Sequence, residues 1–378
     1  MSRGLRYFVV FFLLLAIFIN PVYAQDSSED WQPEYESEIV RGRVLDVSEY
    51  EEIEDDWFFT GRQLVTVEIT TGKFQGHVEE LENSFTGNPY RDLEVDPGDQ
   101  VLLLLETDAG RLQGVNLYDM ARDRYLYILV AVFVFAVILI ARFKGLKSLI
   151  TLAFMGFVIL RWLLPMILQG YNPLVLTVLF ACLITAVTLI IISGLNAKTG
   201  AAIAGTMGGL LTAGLFAWAM GDAARLTGFS EEAQMLYFAD LPMELDVRGL
   251  LFSGIIIGAL GAVMDVAMSI ASSIAEVKAA NPLLTIKGLF RAGFNVGKDV
   301  LGTMVNTLIL AYTGGALPLL LLFMANGMEY ISIINMDLVA TEVVRSLAGS
   351  MGLLVTVPLT AAVAALLMSQ FSSKKVAK

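Results

Sequence analysis

The sequence predicts an α-helical membrane bundle of about seven transmembrane helices, preceded by a cleaved signal peptide and a small extracytoplasmic β-barrel. The chain has 378 residues, of which 56% are hydrophobic and only 16% are charged, against about 25% in soluble domains. Apolar runs long enough to cross a hydrocarbon core of about 30 Å recur from Tyr125 onward. Basic residues fall in alternate connections between these runs, which is the pattern of a polytopic membrane protein.

Residues 1–24 are predicted to be a signal peptide. Arg3 and Arg6 form the basic start, an apolar core follows, and Val22-Tyr23-Ala24 is a small-residue cleavage site. The apolar core is short for a membrane span. An uncleaved anchor is the alternative, and it would add an eighth crossing without changing the orientation of the others.

Residues 25–119 are predicted to form an acidic β domain. Residues 26–119 hold 24 of the 37 acidic groups and 6 of the 25 basic groups, a net charge of −18. Five short runs read as strands separated by Gly, Pro and Asn turns, and they lie at 39–47, 63–70, 74–81, 101–107 and 112–117. This pattern predicts a small barrel of OB-like size. The acidic charge excludes nucleic-acid binding.

Residues 120–378 are predicted to be the transmembrane domain. The predicted spans lie at about 125–143, 148–168, 173–193, 199–220, 249–275, 300–325 and 347–371. In the fourth span Ala201, Gly205 and Gly209 form a stripe of small residues that favours close helix packing. Pro318 is expected to kink the sixth span.

The positive-inside rule sets the orientation of these spans. Seven crossings place the basic segments on the inner side, and those segments contain Arg142, Lys144, Lys147, Lys198, Lys278, Lys287, Arg291, Lys298, Lys374, Lys375 and Lys378. The β domain is then extracytoplasmic and the C-terminus cytoplasmic. Residues 281–296, which mix apolar and basic side chains, are expected to form a helix along the inner membrane face or a docking helix for a cytoplasmic partner.

The candidate functional residues lie in the fifth and sixth spans. A carboxylate at bilayer depth costs roughly 2.5–3.5 kcal/mol on insertion scales, so Asp265 is a functional-site hypothesis. Helical spacing places Asp265 on one face with small and polar residues, which are Gly254, Gly258, Gly261, Ser269, Ser272 and Glu276. A second polar face in the next span contains Asp299, Thr303 and Asn306.

Two interpretations of these faces are open. The two faces pack together and enclose a polar path, or they serve packing alone, with Asp265 hydrogen-bonded to Ser269, Asn306 or another neighbour. Glu342 and Arg345 lie one helical turn apart at the start of the seventh span. They are expected to form a local salt bridge or a gate pair.

Three long segments resemble the YibE/F-like family of bacterial multipass membrane proteins. They are GALGAVMDVAMSIASSI (258–274), GFNVGKDVLGTMVNTLILAYTGG (293–315) and RSLAGSMGLLVTVPLTA (345–361). The resemblance covers most of the chain, and it implies a multispanning protein of the bacterial cytoplasmic membrane, expected to be a transporter or permease. It carries over Asp265, Ser269, Ser272, Asp299, Thr303 and Asn306 as core positions, and it implies no catalytic residues.

The sequence therefore favours a secondary permease for a small solute or ion, with Asp265 as the intramembrane coupling or binding group and the lipid bilayer as its environment. No GxxxxGK[ST] motif, no HExxH motif and no His in the spans is present, so no cofactor, metal centre or enzymatic activity is expected. The alternative function is a non-transporting envelope accessory or sensor that binds a partner through its extracytoplasmic domain. An envelope protein or a second copy of the chain is the partner to consider.

Overall fold

The computed structural model describes residues 36–53, 57–238 and 245–376. The predicted signal peptide lies outside these residues. The chain divides into two compact units, with the boundary between Ile140 and Ala141.

The first unit is built on a curled antiparallel sheet that forms a half-barrel. Its strands are β1 (Glu36–Val47), β2 (Glu51–Glu52), β3 (Gly61–Ile69), β4 (Val78–Phe85), β5 (Gln100–Asp108) and β6 (Arg111–Met120). Strand β1 is central, because Gly42 pairs with Ile69 of β3 on one side and with Val101 of β5 on the other. Strand β4 pairs with β3 and β6 pairs with β5, so β4 and β6 are the outer strands of the sheet.

Alternation along the strands creates the core of this unit. Val44, Val67, Leu103 and Leu105 are each at most 1% exposed, and their neighbours along the strands face outward. Four of the five predicted strands correspond to β1, β3, β5 and β6. The third predicted strand, 74–81, corresponds to β4, which begins at Val78 instead of residue 74. Residues 71–76 form the turn after β3 instead, and Gly72 and Gly76 adopt positive φ angles of 88° and 87° there.

The helices follow the sheet along the chain. They are α1 (Asp123–Val158), a π-helical turn (Ile159–Leu163), α2 (Leu164–Leu168), α3 (Pro173–Ser193), α4 (Ala197–Ala223), α5 (Glu231–Phe238), α6 (Val247–Ala280), α7 (Ile286–Gly315), α8 (Leu317–Ala325), α9 (Tyr330–Ile334) and α10 (Asp337–Val376). Within the described ranges, five segments are long and apolar enough to cross a membrane, or six if α7 and α8 count as one bent span. These apolar helices indicate a membrane-embedded protein.

The predicted first and second spans lie in one helical run, Asp123–Leu168, of 46 residues. Its 46 residues are roughly twice the number that one crossing of a bilayer needs. The run is broken at Arg142, whose φ of 48° and ψ of −126° are not helical. The connection predicted between residues 143 and 148 is therefore replaced by a backbone break at a single residue.

One further prediction about the helices is corrected, and one is confirmed. Residues 286–296 do not form a separate helix on the membrane surface, because α7 is continuous from Ile286 to Gly315 and packs on α6 through Gly293 against Ile274. The predicted sixth span bends by 58° between α7 and α8. Pro318 lies in the first turn of α8 just after this bend, as the sequence predicted.

In the second unit, α4 and α7 pack antiparallel to α6, and α10 runs parallel to it. Gly221 and Gly209 of α4 contact Phe252 and Val263 of α6, so the two helices run in opposite directions. Helices α7 and α10 complete the core, where the buried side chains of α6 include Ile256, Val263, Ile270 and Ile274. The predicted small-residue stripe of α4 is confirmed as a packing surface, because Gly205 and Gly209 lie against Thr360 and Thr356 of α10.

Candidate functional site

The small-and-polar face of α6 is open to the outside of the bundle. Asp265 and Ser269 are exposed, and Ser272 is half-buried. The glycines of the same face are exposed as well, and they are Gly254, Gly258 and Gly261. In the part of the chain that the structure describes, Asp265 makes no hydrogen bond and no ion pair, so the expected bond to Ser269 or Asn306 is not formed.

The polar face of α7 is also exposed. Asp299, Thr303 and Asn306 are exposed. The Thr303 hydroxyl donates to the Val300 carbonyl oxygen at 2.9 Å, which is a bond to the preceding turn of its own helix. Asp299 and Asn306 have no hydrogen-bond partner among the described residues.

The register between α6 and α7 places these residues at similar depths. Ile270 of α6 contacts Gly297 of α7, and Gly258 of α6 lies under the Tyr312 hydroxyl of α7. Between these two contacts, the antiparallel helices bring Asp265 level with Thr303. Side chains lean toward the N-terminus of their own helix, so the Asp265 carboxylate and the Asn306 amide, on opposed helices, lean toward one level.

The two polar faces do not pack against each other within one chain. The contact between α6 and α7 includes Gly293 against Ile270 and Ile274, Gly297 against Ile270, and Gly258 against Tyr312. Asp265, Ser269, Thr303 and Asn306 are exposed, so the described residues do not enclose a path between them. Both faces are exposed, and we call the residues Gly261, Asp265, Ser269, Thr303 and Asn306 together the polar strip.

A cavity of about 760 Å³ lies at one end of the bundle, where α6 begins and α7 ends. Its wall is largely apolar, but it also contains Tyr312, Thr341, Glu342 and Arg345. Gly254 belongs to the same wall, and the next small residue along that face of α6, Gly258, contacts Tyr312. The cavity therefore adjoins the α6 face that carries Asp265, about 16 Å farther along the helix at 1.5 Å per residue.

The predicted pair Glu342 and Arg345 lies in the cavity wall. Arg345 Nη1 donates to Glu342 Oε1 at 2.6 Å. The Arg345 side chain is 29% exposed and the Glu342 side chain 25% exposed. The salt bridge that the sequence predicted is thus formed. Thr341 is 8% exposed and has no hydrogen-bond partner among the described residues, so its hydroxyl is available to a molecule in the cavity.

The two ends of the bundle differ in charge. The end that contains the α3–α4 and α6–α7 connections carries Lys198, Lys278, Lys287 and Arg291. Lys278 Nζ donates there to the carbonyl oxygens of Pro282 and Leu284, at 2.7 and 3.2 Å. The end with the cavity carries Asp246, which caps α6, Asp337, which accepts from the Thr227 hydroxyl in the loop before α5, and Asp222, which pairs with Arg248 of α6.

The cavity and the role of Tyr312 are not evident from the sequence. Nothing in the sequence marks Tyr312 as a cavity residue, and Gly228 and Phe229, which also line the cavity, lie in the loop before α5. The signal that points to the site is the spacing of Gly254 and Gly258. Their lack of side chains leaves room on α6 for Tyr312 and for the cavity.

Comparison with known protein families gives two matches. The family of YibE/F-like proteins matches residues 129–370, which is more than half of the chain. The N-terminal domain of the YibE/F family matches residues 35–119. No curated protein and no solved structure shows significant similarity to the chain.

Proposed function

The chain belongs to the YibE/F-like family, and from this membership and its apolar helices we propose that it is a secondary permease for a small solute or ion. The observation that carries the proposal is the polar strip. It holds an unpartnered carboxylate, Asp265, near the middle of α6, and the cavity with Glu342 and Arg345 adjoins the same face of this helix.

The proposed orientation has seven crossings of a bacterial cytoplasmic membrane. The break at Arg142 lets the run Asp123–Leu168 supply two crossings, and α7 with α8 supplies one bent crossing. The basic end of the bundle then faces the cytoplasm, and the cavity faces outward. Following the charge pattern of the sequence, we propose an extracytoplasmic N-terminal domain and a cytoplasmic C-terminus.

The polar strip supplies the groups that a cation or a proton needs. Ionised Asp265 accepts hydrogen bonds or coordinates a cation, and the amide oxygen of Asn306 and the hydroxyl oxygens of Ser269 and Thr303 provide neutral ligands nearby. Separation of Glu342 from Arg345, which lie in the cavity wall, would widen the cavity. The bend at Ala316, between α7 and α8, offers a point about which this end of the bundle opens.

A ligand screen by thermal unfolding tests this proposal. The purified full-length protein is heated at several pH values and with a panel of monovalent cations, divalent cations and small organic ions. A ligand at 100 times its Kd adds about 2.7 kcal/mol to the free energy of unfolding. We expect one ligand class to stabilise the wild type and not the Asp265→Asn variant.

Glu276→Gln is the matched control for this screen. Glu276 is an exposed carboxylate on the same helix, three turns from Asp265 and outside the polar strip. The control is expected to respond like the wild type. Equal stabilisation of Asp265→Asn and wild type by every active ligand would contradict the role of Asp265.

The β unit favours a second candidate function, that of an accessory or sensor. We infer that this unit is an OB-like, partly open barrel, since β4 and β6 approach each other without pairing. A polar cavity of about 730 Å³ lies beside these two strands, and Tyr90, Arg91 and Arg122 contribute to its wall. Photo-crosslinking from position 90 in whole cells tests this function. Capture of an envelope protein that Arg91→Glu abolishes would support it, and the absence of any adduct would count against it.

A further inference from the structure

Among the described residues of the second unit, Asp265 and Asn306 of the polar strip have no hydrogen-bond partner. We propose that a second copy of this chain covers the strip, so that the protein is a homodimer whose two-fold axis runs along the membrane normal between the α6 and α7 faces of the two copies. This inference rests on the proposed bilayer placement and not on transport.

Contact between the polar strip and lipid hydrocarbon is unfavourable in free energy. Asp265 lies about 27 Å from the start of α6 and about 22 Å from its end at 1.5 Å per residue, so it lies within the hydrocarbon core of about 30 Å wherever α6 spans it. Hydrocarbon offers it no hydrogen bonds, and the carboxylate and the Asn306 amide have no partner in the described part of their own chain. A covering protein surface removes this penalty.

The second argument is that the strip complements itself. A two-fold axis along the membrane normal keeps every residue at its own depth, so groups that share a level within one chain are brought opposite each other in the dimer. Asp265 accepts hydrogen bonds, and Asn306, whose side chain leans to the same level, has two free N–H donors. Rotation therefore places the amide of one copy opposite the carboxylate of the other.

The third argument comes from the glycines. Gly205, Gly209, Gly293 and Gly297 each lie against a side chain of a neighbouring helix, which explains why they carry no side chain. The glycines of the open face are different, because a Cβ added at Gly254, Gly261 or Gly302 would meet nothing within 4 Å. Glycine lowers helix stability by about 1 kcal/mol relative to alanine. Close approach of a helix from another copy supplies the packing role that these glycines lack within the chain.

Disulfide crosslinking in native membranes tests the proposed interface. In a Cys182→Ala background, single cysteines are introduced by Gly261→Cys and by Asn306→Cys, and the membranes are oxidised. We expect disulfide-linked dimers at both positions. The matched control is Leu211→Cys, since Leu211 is 52% exposed on α4 and lies between Gly209 and Gly214, which contact Val263 and Ile256 and so fix its depth near that of Gly261.

Chance collisions in the membrane would crosslink Leu211→Cys as strongly as Gly261→Cys, and that result would overturn the proposal. A crosslink from Gly261→Cys to a different protein would overturn it too, because the occupant would then be another membrane protein. Dimers at the two strip positions with at most a tenth as much at position 211 would support it.

The mass of the protein in lipid nanodiscs provides an independent measurement. The wild type is expected to have the mass of two chains, and Gly261→Leu the mass of one, because the added side chain keeps the second copy away. Gly261→Leu has open space within its own chain, so it should fold with the same helix content as the wild type, as measured by circular dichroism. A monomeric wild type would overturn the proposal.

These outcomes separate the interface from the proposed permease function. A monomer in which Asp265→Asn still abolishes ligand stabilisation would refute the dimer and leave the permease intact. A dimer in which no ligand depends on Asp265 would retain the interface and refute the role of Asp265 in transport.

Discussion

The packing of α4 against α10 allows a quantitative prediction for Gly209→Ala. A Cβ at position 209 would lie 2.9 Å from the Gly352 carbonyl oxygen and 2.9 Å from Val263 Cγ1, and it would overlap the Thr356 hydroxyl. The Thr356 hydroxyl is held by its own hydrogen bond to Gly352 O at 2.8 Å. The new methyl group can therefore be accommodated only if the helices move apart.

The expected loss of stability follows from two opposed effects. Overpacking of a tight core costs about 1–3 kcal/mol, and the backbone contact puts Gly209→Ala near the upper end of that range. Alanine in place of glycine in a helix returns about 1 kcal/mol. The net loss is about 1–2 kcal/mol, which lowers the ratio of folded to unfolded protein roughly 5- to 30-fold.

Equilibrium unfolding in mixed micelles, followed by Trp218 fluorescence on the same helix, measures this loss. Gly200→Ala is the control, because a Cβ there would meet Leu367 only at an ordinary 3.8 Å. This control should be as stable as the wild type or more stable. If Gly209→Ala unfolds at the same denaturant concentration as Gly200→Ala, the close packing of α4 on α10 is refuted.

Two further predictions concern caps and charge. Asn196 Oδ1 accepts from the Thr199 amide at 2.9 Å at the start of α4, so Asn196→Ala should cost about 1 kcal/mol in the same micelle assay, and an unchanged midpoint would refute the cap. In the β unit, hydrogen bonds from the Thr86 amide and hydroxyl hold the pKa of Asp92 below its ordinary value of 3.8. Because the folded pKa is the lower one, Asp92 stabilises the fold above pH 3.8, and this contribution disappears as the pH falls through the folded pKa. Hydrogen exchange of β4 should show Asp92→Asn less protected than the wild type at pH 7 and equally protected in acid; a difference independent of pH would contradict this.

The parts of the fold that the sequence predicts well are those with local signals. Helix α3 has the predicted bounds because Asn172 caps it, Pro173 begins it, and Gly194 ends it with a φ of 78°. The stripe of Ala201, Gly205 and Gly209 predicts a close contact, because three small residues at four-residue spacing are typical of a helix that packs closely against another helix. Such signals need no knowledge of the neighbouring helices.

The direction in which a helix faces is harder to predict. Helix α6 is apolar nearly all round, so Ile256, Val263 and Ile270 do not reveal in advance that they form the core. The polar residues of its other side suggest an interior path, although the single chain leaves that side open. The cavity was also unpredicted, because it depends on the register between α6 and α7 and on the loop at Gly228, which have no periodic signal.

Ion and solute flux into proteoliposomes tests directly whether the polar strip carries a transported species. Wild type, Asp265→Asn and Glu276→Gln are reconstituted at equal protein density, and uptake of protons, metal cations and the stabilising ligands from the thermal screen is followed with trapped indicator dyes. We expect flux of one ligand class. Asp265→Asn should reduce this flux at least tenfold, and Glu276→Gln should leave it unchanged. Equal flux in Asp265→Asn and wild type would contradict the claim that the polar strip carries the transported species.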